Sequence, residues 1–458
     1  MGPRFIRAGL LALSLAGGGG AQAGGQEAPL AGEPPHAPAP DAPGAASAPA
    51  PPAAPPAAPV SAASLKLILR NYNGGQQVDG VLKRHAWIES MQAYFDSGYT
   101  AGPVGIGVSV APFAALRLSA SDHPGNMVVE QDRTAAAFLG EYTVNMRAGE
   151  TVVRYGLQRV SNPYLESKDN RALPPMFRGL SATSVVARGL TIEAGRFDAV
   201  QSRGEPRLQD MWTAYGGTRF RDLVYAGAKV QYSDAGKLAL YTSEARDVWR
   251  QTYAALAHEM GDPAGIRWTV SADLYLTRDA GAARQGAIDN KAFSIGLSGR
   301  HGASTVALAF QRVPGNQYFD YVNDTWGDYL ANSSAEDYNT PHEKSLQLRY
   351  EFDGNQAGLA GWRFKSWFIA GWGSDARAGS LLYPDAASRL HGLYWRDGVA
   401  ARGSHTELGV LPVYEWPRGA MKGLRASLLM TYCRDAQRYI NAGSWEYNLK
   451  LEYPVTVF

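Results

Sequence analysis

Apolar and polar residues alternate along most of the chain after Ser64. Clear examples are residues 268–276, 305–311, 345–353 and 445–453. Because successive side chains of a β-strand point to opposite faces, this alternation predicts strands with one apolar face and one polar face. No run of about 18 consecutive apolar residues follows Ser64, so the sequence does not predict helical membrane spans.

Two all-β architectures satisfy this pattern: a soluble sandwich that hides its apolar faces, and a transmembrane antiparallel β-barrel that turns them to lipid. The polar faces carry charges of both signs, as a water-filled lumen would. Membrane barrels place aromatic rings at the ends of their apolar faces, and such rings occur at Trp268, Tyr350, Trp445 and Tyr453. The last strand runs to Phe458. These features favour the membrane barrel, with the sandwich as the alternative.

The N-terminal part of the chain differs from the rest in composition and predicts export. Arginines at positions 4 and 7 precede a short apolar stretch. Ala21 and Ala23 then place small residues at the expected cleavage site, after residue 23. This arrangement is typical of a bacterial signal peptide over residues 1–23. Ala and Pro make up 27 of the 40 residues from 24 to 63, which predicts an extended linker without a packed core. The barrel domain is predicted over residues 64–458.

Composition and charge exclude several classes of protein. The 458 residues are 45% hydrophobic and 19% charged, and their net charge is +2. A nucleic-acid-binding domain should carry a strong basic excess, so we expect no nucleic-acid partner. The single cysteine, Cys433, excludes an intramolecular disulfide, and no histidine spacing matches a metal site. We predict no cofactor, no metal and no catalytic site, since no nucleophile motif is evident. An outer-membrane barrel hydrolase remains the less favoured alternative.

The alternation also predicts which charged residues face the lumen. The cations on the polar faces are Lys66, Arg70, Arg147, Arg154, Arg349, Arg363, Lys365, Arg425 and Lys450. The acids on the same faces are Glu141, Asp273, Glu351, Asp353, Glu446 and Glu452. Each could select solutes, or could simply form an ion pair with a neighbouring strand.

Several segments, taken in order, resemble the OprD-type porins, which are substrate-specific outer-membrane channels. The matching segments are residues 67–72, 97–108, 173–179, 189–197, 318–321, 330–333 and 343–350. The resemblance implies a barrel of eighteen antiparallel strands, narrowed by extracellular loops that fold inward. It does not cover the Ala/Pro-rich linker.

The resemblance also implies which residues form the constriction. It places the constriction loop between Gly156 and Gly179 and makes Arg171 and Arg178 the expected selectivity residues. Further residues expected near the constriction are Tyr164, Glu166, Asp169, Asp320 and Tyr321, of which the last two lie in a second inward loop. Arg84 matches a basic position near the first hairpin.

This chain departs from the family pattern in ways that affect the expected solute. Gly74 and Gly75 stand near the place where the family carries an arginine. Trp367, Ser427 and Leu429 stand where basic pairs are expected on adjacent strands. The lumen is therefore expected to contain fewer basic residues than the family pattern, so the row of basic residues is thinned. This indicates an aromatic or less charged solute.

The sequence thus predicts a channel of the bacterial outer membrane for passive diffusion of small water-soluble solutes. By resemblance these are small carboxylates or amino-acid-like compounds, guided by basic side chains in the lumen. The predicted partners are outer-membrane lipid and the solutes, while a homo-oligomer and a contact between the linker and the cell wall stay open. The alternative from another class is a structural or adhesive barrel tethered by the linker.

Overall fold

The computed structural model describes residues 62–78, 82–120, 134–262, 265–325, 327–435 and 443–458. The predicted signal peptide and all but the last two residues of the predicted linker lie outside the described residues. The first strand begins at Ser64, where the alternation of the sequence begins.

Eighteen long strands form the wall of the molecule. In chain order they are β1 (Ser64–Val78), β2 (Leu82–Asp96), β3 (Val104–Ala120), β4 (Ala135–Ala148), β5 (Thr151–Gln158), β6 (Met176–Ala187), β7 (Leu190–Gln201), β8 (Leu223–Gln231), β9 (Gly236–Ala245), β10 (Trp249–Gly261), β11 (Arg267–Asp279), β12 (Asp289–His301), β13 (Ser304–Arg312), β14 (Lys344–Asp353), β15 (Trp362–Asp375), β16 (Arg402–Glu415), β17 (Arg425–Asp435) and β18 (Ser444–Thr456).

The sheet closes on itself, so the wall is a barrel. Each strand pairs antiparallel with the next along the chain, and β18 pairs antiparallel with β1, for example through Arg70 and Glu452. Closure leaves no unpaired sheet edge, which a structure in lipid requires. The prediction of an all-β, eighteen-stranded antiparallel barrel is confirmed, and the sandwich is excluded.

The two faces of each strand differ in exposure as the alternation predicts. On β14, Leu346 and Leu348 are 41% and 54% exposed, whereas Gln347 and Arg349 are 2% and 5% exposed. The exposed leucines face outward, and the same outward rows on other strands carry Leu, Ile and Val. A barrel with an apolar outer surface and a polar interior is suited to a bilayer.

The two rims of the barrel differ in the length of their connections. Residues 159–175, 202–222, 313–343 and 376–401 all join strands at one rim. The other rim has short turns such as 149–150, 188–189 and 302–303, where glycines adopt positive φ. Long loops are typical of the extracellular side and short turns of the periplasmic side.

The long connections contain short strands and helices. They are the two-residue strands Leu208–Gln209, Met211–Trp212, Arg219–Phe220, Trp395–Arg396 and Val399–Ala400, and the helices α1 (Arg377–Ser380) and α2 (Arg389–Tyr394). A 3₁₀ helix, Gly354–Ala357, lies in the turn after β14 at the short-turn rim. Among the described residues, no helix is long and apolar enough to cross a membrane.

Candidate functional site

Residues 159–175, here called the constriction loop, leave the wall between β5 and β6 and enter the lumen. The hydroxyl of Tyr164 donates to the backbone carbonyl of Gln251 at 3.1 Å. The hydroxyl of Tyr275 donates to the backbone carbonyl of Pro163 at 3.0 Å. Gln251 lies on β10 and Tyr275 on β11, so the first half of the loop reaches that wall. The predicted loop, Gly156–Gly179, is slightly longer because its ends belong to β5 and β6.

The second half of the constriction loop contacts the opposite wall. Nη1 of Arg70, on β1, lies 2.6 Å from Oδ1 of Asp169. Nη1 of Arg171 lies 3.0 Å from Oε1 of Glu446 and 2.9 Å from Oδ1 of Asn448, both on β18. In a closed barrel of eighteen strands, β10 lies across the lumen from β1 and β18. The loop therefore spans the lumen from wall to wall.

Aromatic packing holds this loop inward. Tyr253 and Tyr275 are cross-strand partners on β10 and β11 with ring centroids 4.7 Å apart. Phe319 and Tyr329, from the loop before β14, pack against these rings. Leu165 of the constriction loop is fully buried in the same apolar cluster. Removing these side chains from water stabilises the inward position of the loop, since each large apolar side chain contributes about 1.5–3 kcal/mol.

Residues 313–343, the second inward loop, contact the constriction loop directly. The Tyr329 hydroxyl donates to the Glu166 carboxylate, and a β-bridge joins Ser167 to Thr325. Burial raises the pKa of Glu166, although the hydrogen bond from Tyr329 opposes this rise. These contacts hold the two loops together inside the lumen.

Asp320 and Tyr321 lie in the second inward loop, as expected, and both are buried. Asp320 accepts hydrogen bonds from the Tyr215 backbone N–H at 2.9 Å and from the Gln285 side chain at 2.8 Å. The Tyr321 hydroxyl donates to Asp337 at 2.7 Å. The Asp320 contacts join the second inward loop to neighbouring connections, and the Tyr321 contact lies within the loop, so the geometry gives both residues a role in holding loop structure.

A network of charged side chains marks the point where the constriction loop meets β1. Besides Asp169, Arg70 contacts Glu452 at 2.5 Å. Nη2 of Arg159 lies 3.3 Å from Asp169 and donates to the Tyr94 hydroxyl at 3.1 Å. Burial acts to raise the pKa of Asp169, but the charge and hydrogen bonds of Arg70 outweigh it, and the pKa lies well below its ordinary range. Asp169 therefore stays ionised, and Arg159 is 43% exposed beside it.

The strand register places every cation that parity predicted on the inward face of the wall. Four of them are half-buried and lie close to strand ends at the short-turn rim: Arg147, Arg154, Lys365 and Arg425. Arg349 is buried beside Glu351 at 3.1 Å. Arg84 is also buried.

The expectation for Arg178 is wrong. This residue belongs to β6, and its Nε lies 2.8 Å from Oδ1 of Asp198, which is exposed on β7. Tyr142 and Tyr155, both on the outer surface, are its other charged or titratable neighbours. A shift of register between Arg178 and Gly179 accompanies this change of face. Arg178 therefore lies on the outside of the barrel and cannot contact a solute in the lumen.

An apolar patch occupies the inward face of β15–β17. It consists of Trp367, Ile369, Leu411, Val413 and Leu429, with Tyr338 of the second inward loop packed against it. Trp367 Nε1 donates to Glu407 at 2.5 Å. Two members of this patch, Trp367 and Leu429, are the positions where the sequence departs from the expected basic row. Lys365 lies beside the patch, with its Nζ 5.4 Å from the centroid of the Trp367 ring.

Three charged residues of the loops were not predicted from the sequence, because alternation applies only to strands. Arg159 and Lys168 belong to the constriction loop, and Arg203 to the next long connection. Arg203 lies 3.2 Å from Asp324 and donates to the Asn170 side chain at 2.7 Å. Burial and the charge of Arg203 lower the pKa of Lys168. No local pattern marks these residues, since their partners are distant in the chain.

A closed antiparallel barrel with an apolar outer surface, a charged lumen and loops that span it defines a channel protein of the bacterial outer membrane. A family model for outer membrane porins of the OprD family matches residues 60–457. The chain belongs to the OprD family of outer-membrane porins, as the resemblance implied. It is an outer-membrane channel for small solutes.

Known relatives agree with this assignment. Porin D of Pseudomonas aeruginosa is 27% identical over 422 residues, which cover 87% of this chain and 92% of the relative. The crystal structure of Pseudomonas aeruginosa OccK2 (OpdF) in complex with glucuronate superposes with a TM-score of 0.73 at 27% identity, covering 86% of this chain and 98% of that one. Pseudomonas aeruginosa OpdK, crystallised with vanillate, gives a TM-score of 0.76 at 25% identity, with coverage of 86% and 98%.

Proposed function

We propose that this channel carries small carboxylates, including amino-acid-like compounds, and that it favours carboxylates with an aromatic or apolar body. The observation that carries the proposal is the inward face of β15, where Lys365 lies directly beside Trp367 and the apolar patch. The side chains of the patch are at most 7% exposed, so a solute whose carboxylate binds Lys365 would place an apolar ring against their exposed edge.

The distribution of charge supports an anionic solute. Two acids on β18 near the constriction are held by arginines: Glu446 by Arg171 and Glu452 by Arg70. Four half-buried cations follow toward the short-turn rim: Arg147, Arg154, Lys365 and Arg425. A narrow channel of low dielectric strengthens the effect of fixed charge and concentrates ions of opposite charge. Guanidinium groups bind carboxylates with two parallel hydrogen bonds and stay protonated.

The relatives are compatible with this class of solute. OccK2 was crystallised with glucuronate, a sugar acid, and OpdK with vanillate, an aromatic acid. In this chain the basic row expected from the family resemblance is thinned, and Trp367 and Leu429 place apolar side chains at two of its positions. Both differences favour the aromatic acid over the sugar acid.

A pair of solutes that differ only in charge tests the proposal. Full-length channel in liposomes is compared in swelling assays with glucose and with glucuronate, which share one ring skeleton. We expect faster entry of glucuronate than of glucose, and faster entry of vanillate than of glucuronate. Protein-free liposomes provide the background. If glucose enters as fast as both acids, the lumen does not select carboxylates and the proposal fails.

A further inference from the structure

The outer wall carries a row of mostly charged side chains where the apolar outer surface ends, next to the long-loop rim. Arg196 of β7 is the cross-strand partner of Val224 of β8, which is in turn the partner of Glu244 of β9. Glu244 is the partner of Arg250 of β10. Arg278 of β11 continues the row as the partner of Arg250. These positions alternate with inward residues, so their side chains face away from the lumen.

Asp222 organises two arginines at this border. Arg196 Nη2 donates to Asp222 at 2.8 Å, and Arg246 Nε lies 3.1 Å from both carboxylate oxygens. The side chains of Arg196 and Arg246 are 55% and 45% exposed, whereas that of Asp222 is 2% exposed. Burial acts to raise the pKa of Asp222, but the two arginines lower it. These contacts engage one nitrogen of each guanidinium, and each guanidinium carries five N–H donors.

A recess of about 400 Å³ opens next to these arginines. Its lining includes Asp222, Val224, Ala226, Thr242, Glu244, Arg246 and Arg250. Nη2 of Arg250 lies 2.7 Å from Oε2 of Glu244. The recess forms because the next outward residues toward the middle of the wall, Ala226 of β8 and Thr242 of β9, have small side chains. The residue at the same level on β11 is the larger Leu276. Together with Arg196, the recess therefore has three arginines and two carboxylates at its rim side, an excess of one positive charge, and a largely apolar floor toward the membrane interior.

We propose that this surface, which we call the arginine recess, binds a phosphorylated glycolipid of the outer leaflet. The long-loop rim is the extracellular side of such barrels, so the recess faces the outer leaflet. Arginine binds phosphate oxygens through paired, charge-assisted hydrogen bonds. The apolar floor accepts part of an acyl chain, while the guanidinium groups stay at the level of the headgroup.

The same border on the opposite side of the barrel is built differently. Outward positions near the long-loop rim of β15, β17 and β18 carry Trp372, Tyr432 and Trp445, which are 41%, 53% and 44% exposed. Aromatic rings of this kind are the general anchors of membrane barrels. Arg434 of β17 is an exposed outward arginine on that side, and it provides a matched control.

Native mass spectrometry of the purified full-length chain tests the proposal. The protein is incubated with bisphosphorylated lipid A or with the same lipid after removal of its phosphates. We expect retention of the phosphorylated lipid and much weaker retention of the other. Arg246→Gln with Arg250→Gln should weaken retention about 30-fold, the equivalent of about 1 kcal/mol for each arginine. Arg434→Gln should leave retention unchanged.

Heat-modifiable mobility on gels and single-channel conductance confirm that each variant is a folded barrel. The charge-preserving pair Arg246→Lys with Arg250→Lys should keep most of the binding, which separates loss of charge from loss of fold. Equal retention of the two lipids would overturn the proposal, as would an equal loss in Arg434→Gln. Displacement of the lipid by inorganic phosphate alone would overturn the assignment to a lipid.

Discussion

Arg70 on β1 and Asp169 in the constriction loop form an ion pair of 2.6 Å that fastens the loop to the wall of the lumen. The arginine also contacts Glu452 and donates to the backbone carbonyl of Arg171 at 2.8 Å. Because 99 residues separate Arg70 from Asp169, this contact exists only when the loop has crossed the lumen. The pair therefore holds the second half of the constriction loop against β1.

Replacing Asp169→Asn should loosen the constriction loop. The substitution removes a charge-assisted contact to a buried arginine, and such hydrogen bonds contribute about 1.5–3 kcal/mol. We expect larger current fluctuations and a higher mean conductance in planar bilayers. Asp198→Asn is the matched control, because Asp198 pairs with Arg178 on the outer surface. Identical traces from the two variants would show that the Arg70 pair does not position the loop.

Asp328, in the second inward loop, should make the stability of that loop depend on pH. Burial and the negative charge of Asp337 raise the pKa of Asp328 to about 7. A raised carboxyl pKa means that the folded loop favours the protonated form, so its stability is greatest below the ordinary pKa of about 3.9 and falls as pH rises toward 7. Hydrogen exchange at residues 328–340, corrected for intrinsic rates, should show more protection at pH 5 than at pH 8.

The isosteric variant Asp328→Asn provides the control for this pH dependence. The amide cannot ionise, yet it still accepts hydrogen bonds such as the one from the Ser333 hydroxyl. Protection in this variant should be the same at both pH values. A pH dependence that persists in Asp328→Asn would assign it to another group.

Neighbouring residues on β14 should respond oppositely to substitution. Leu348→Arg places a charge on the lipid-facing surface, which costs about 2–4 kcal/mol near the middle of the bilayer. We expect this variant to unfold at lower urea concentration than the unchanged protein in a lipid-vesicle assay. Arg349→Ala removes an inward charge and should alter ion selectivity while the barrel still assembles. Equal tolerance at the two positions would mean that the two faces are assigned wrongly.

Trp367→Ala should reduce selection for an aromatic solute. The substitution removes the largest side chain of the apolar patch and its ring beside Lys365. Swelling rates with vanillate relative to glucuronate should fall several-fold, while the rate with glucuronate changes little. Trp445→Ala, an outward aromatic on β18, is the control for general effects on assembly. A constant vanillate-to-glucuronate ratio in Trp367→Ala would exclude the patch from selection.

The wall could be predicted from the sequence because the pleat of a strand is a local property. Leu348 and Arg349 fall on opposite faces because they are adjacent in a strand. No distant contact is needed to decide this. Closure of the barrel followed from the alternation, the aromatic rings and the family resemblance together.

The constriction could be predicted only in part, since its contacts join residues far apart in the chain. Arg171 meets Glu446 across 275 residues, and no spacing in the sequence indicates that partner. Arg178 was misplaced because the resemblance assigned it to the loop, whereas β6 already begins at Met176 and directs the Arg178 side chain outward. Arg159 and Lys168 were missed because a loop has no periodicity from which a facing direction can be inferred.

The reversal potential of single channels in a gradient of sodium benzoate tests the central claim most directly. Benzoate combines a carboxylate with an aromatic ring, and sodium is the only competing ion. We expect a reversal potential whose sign shows that benzoate is more permeant than sodium. Arg363→Gln, at an exposed position near the short-turn rim, should shift the potential less than Lys365→Gln. A preference for sodium, or the absence of single-channel currents from correctly folded barrels, would contradict the account of a carboxylate channel.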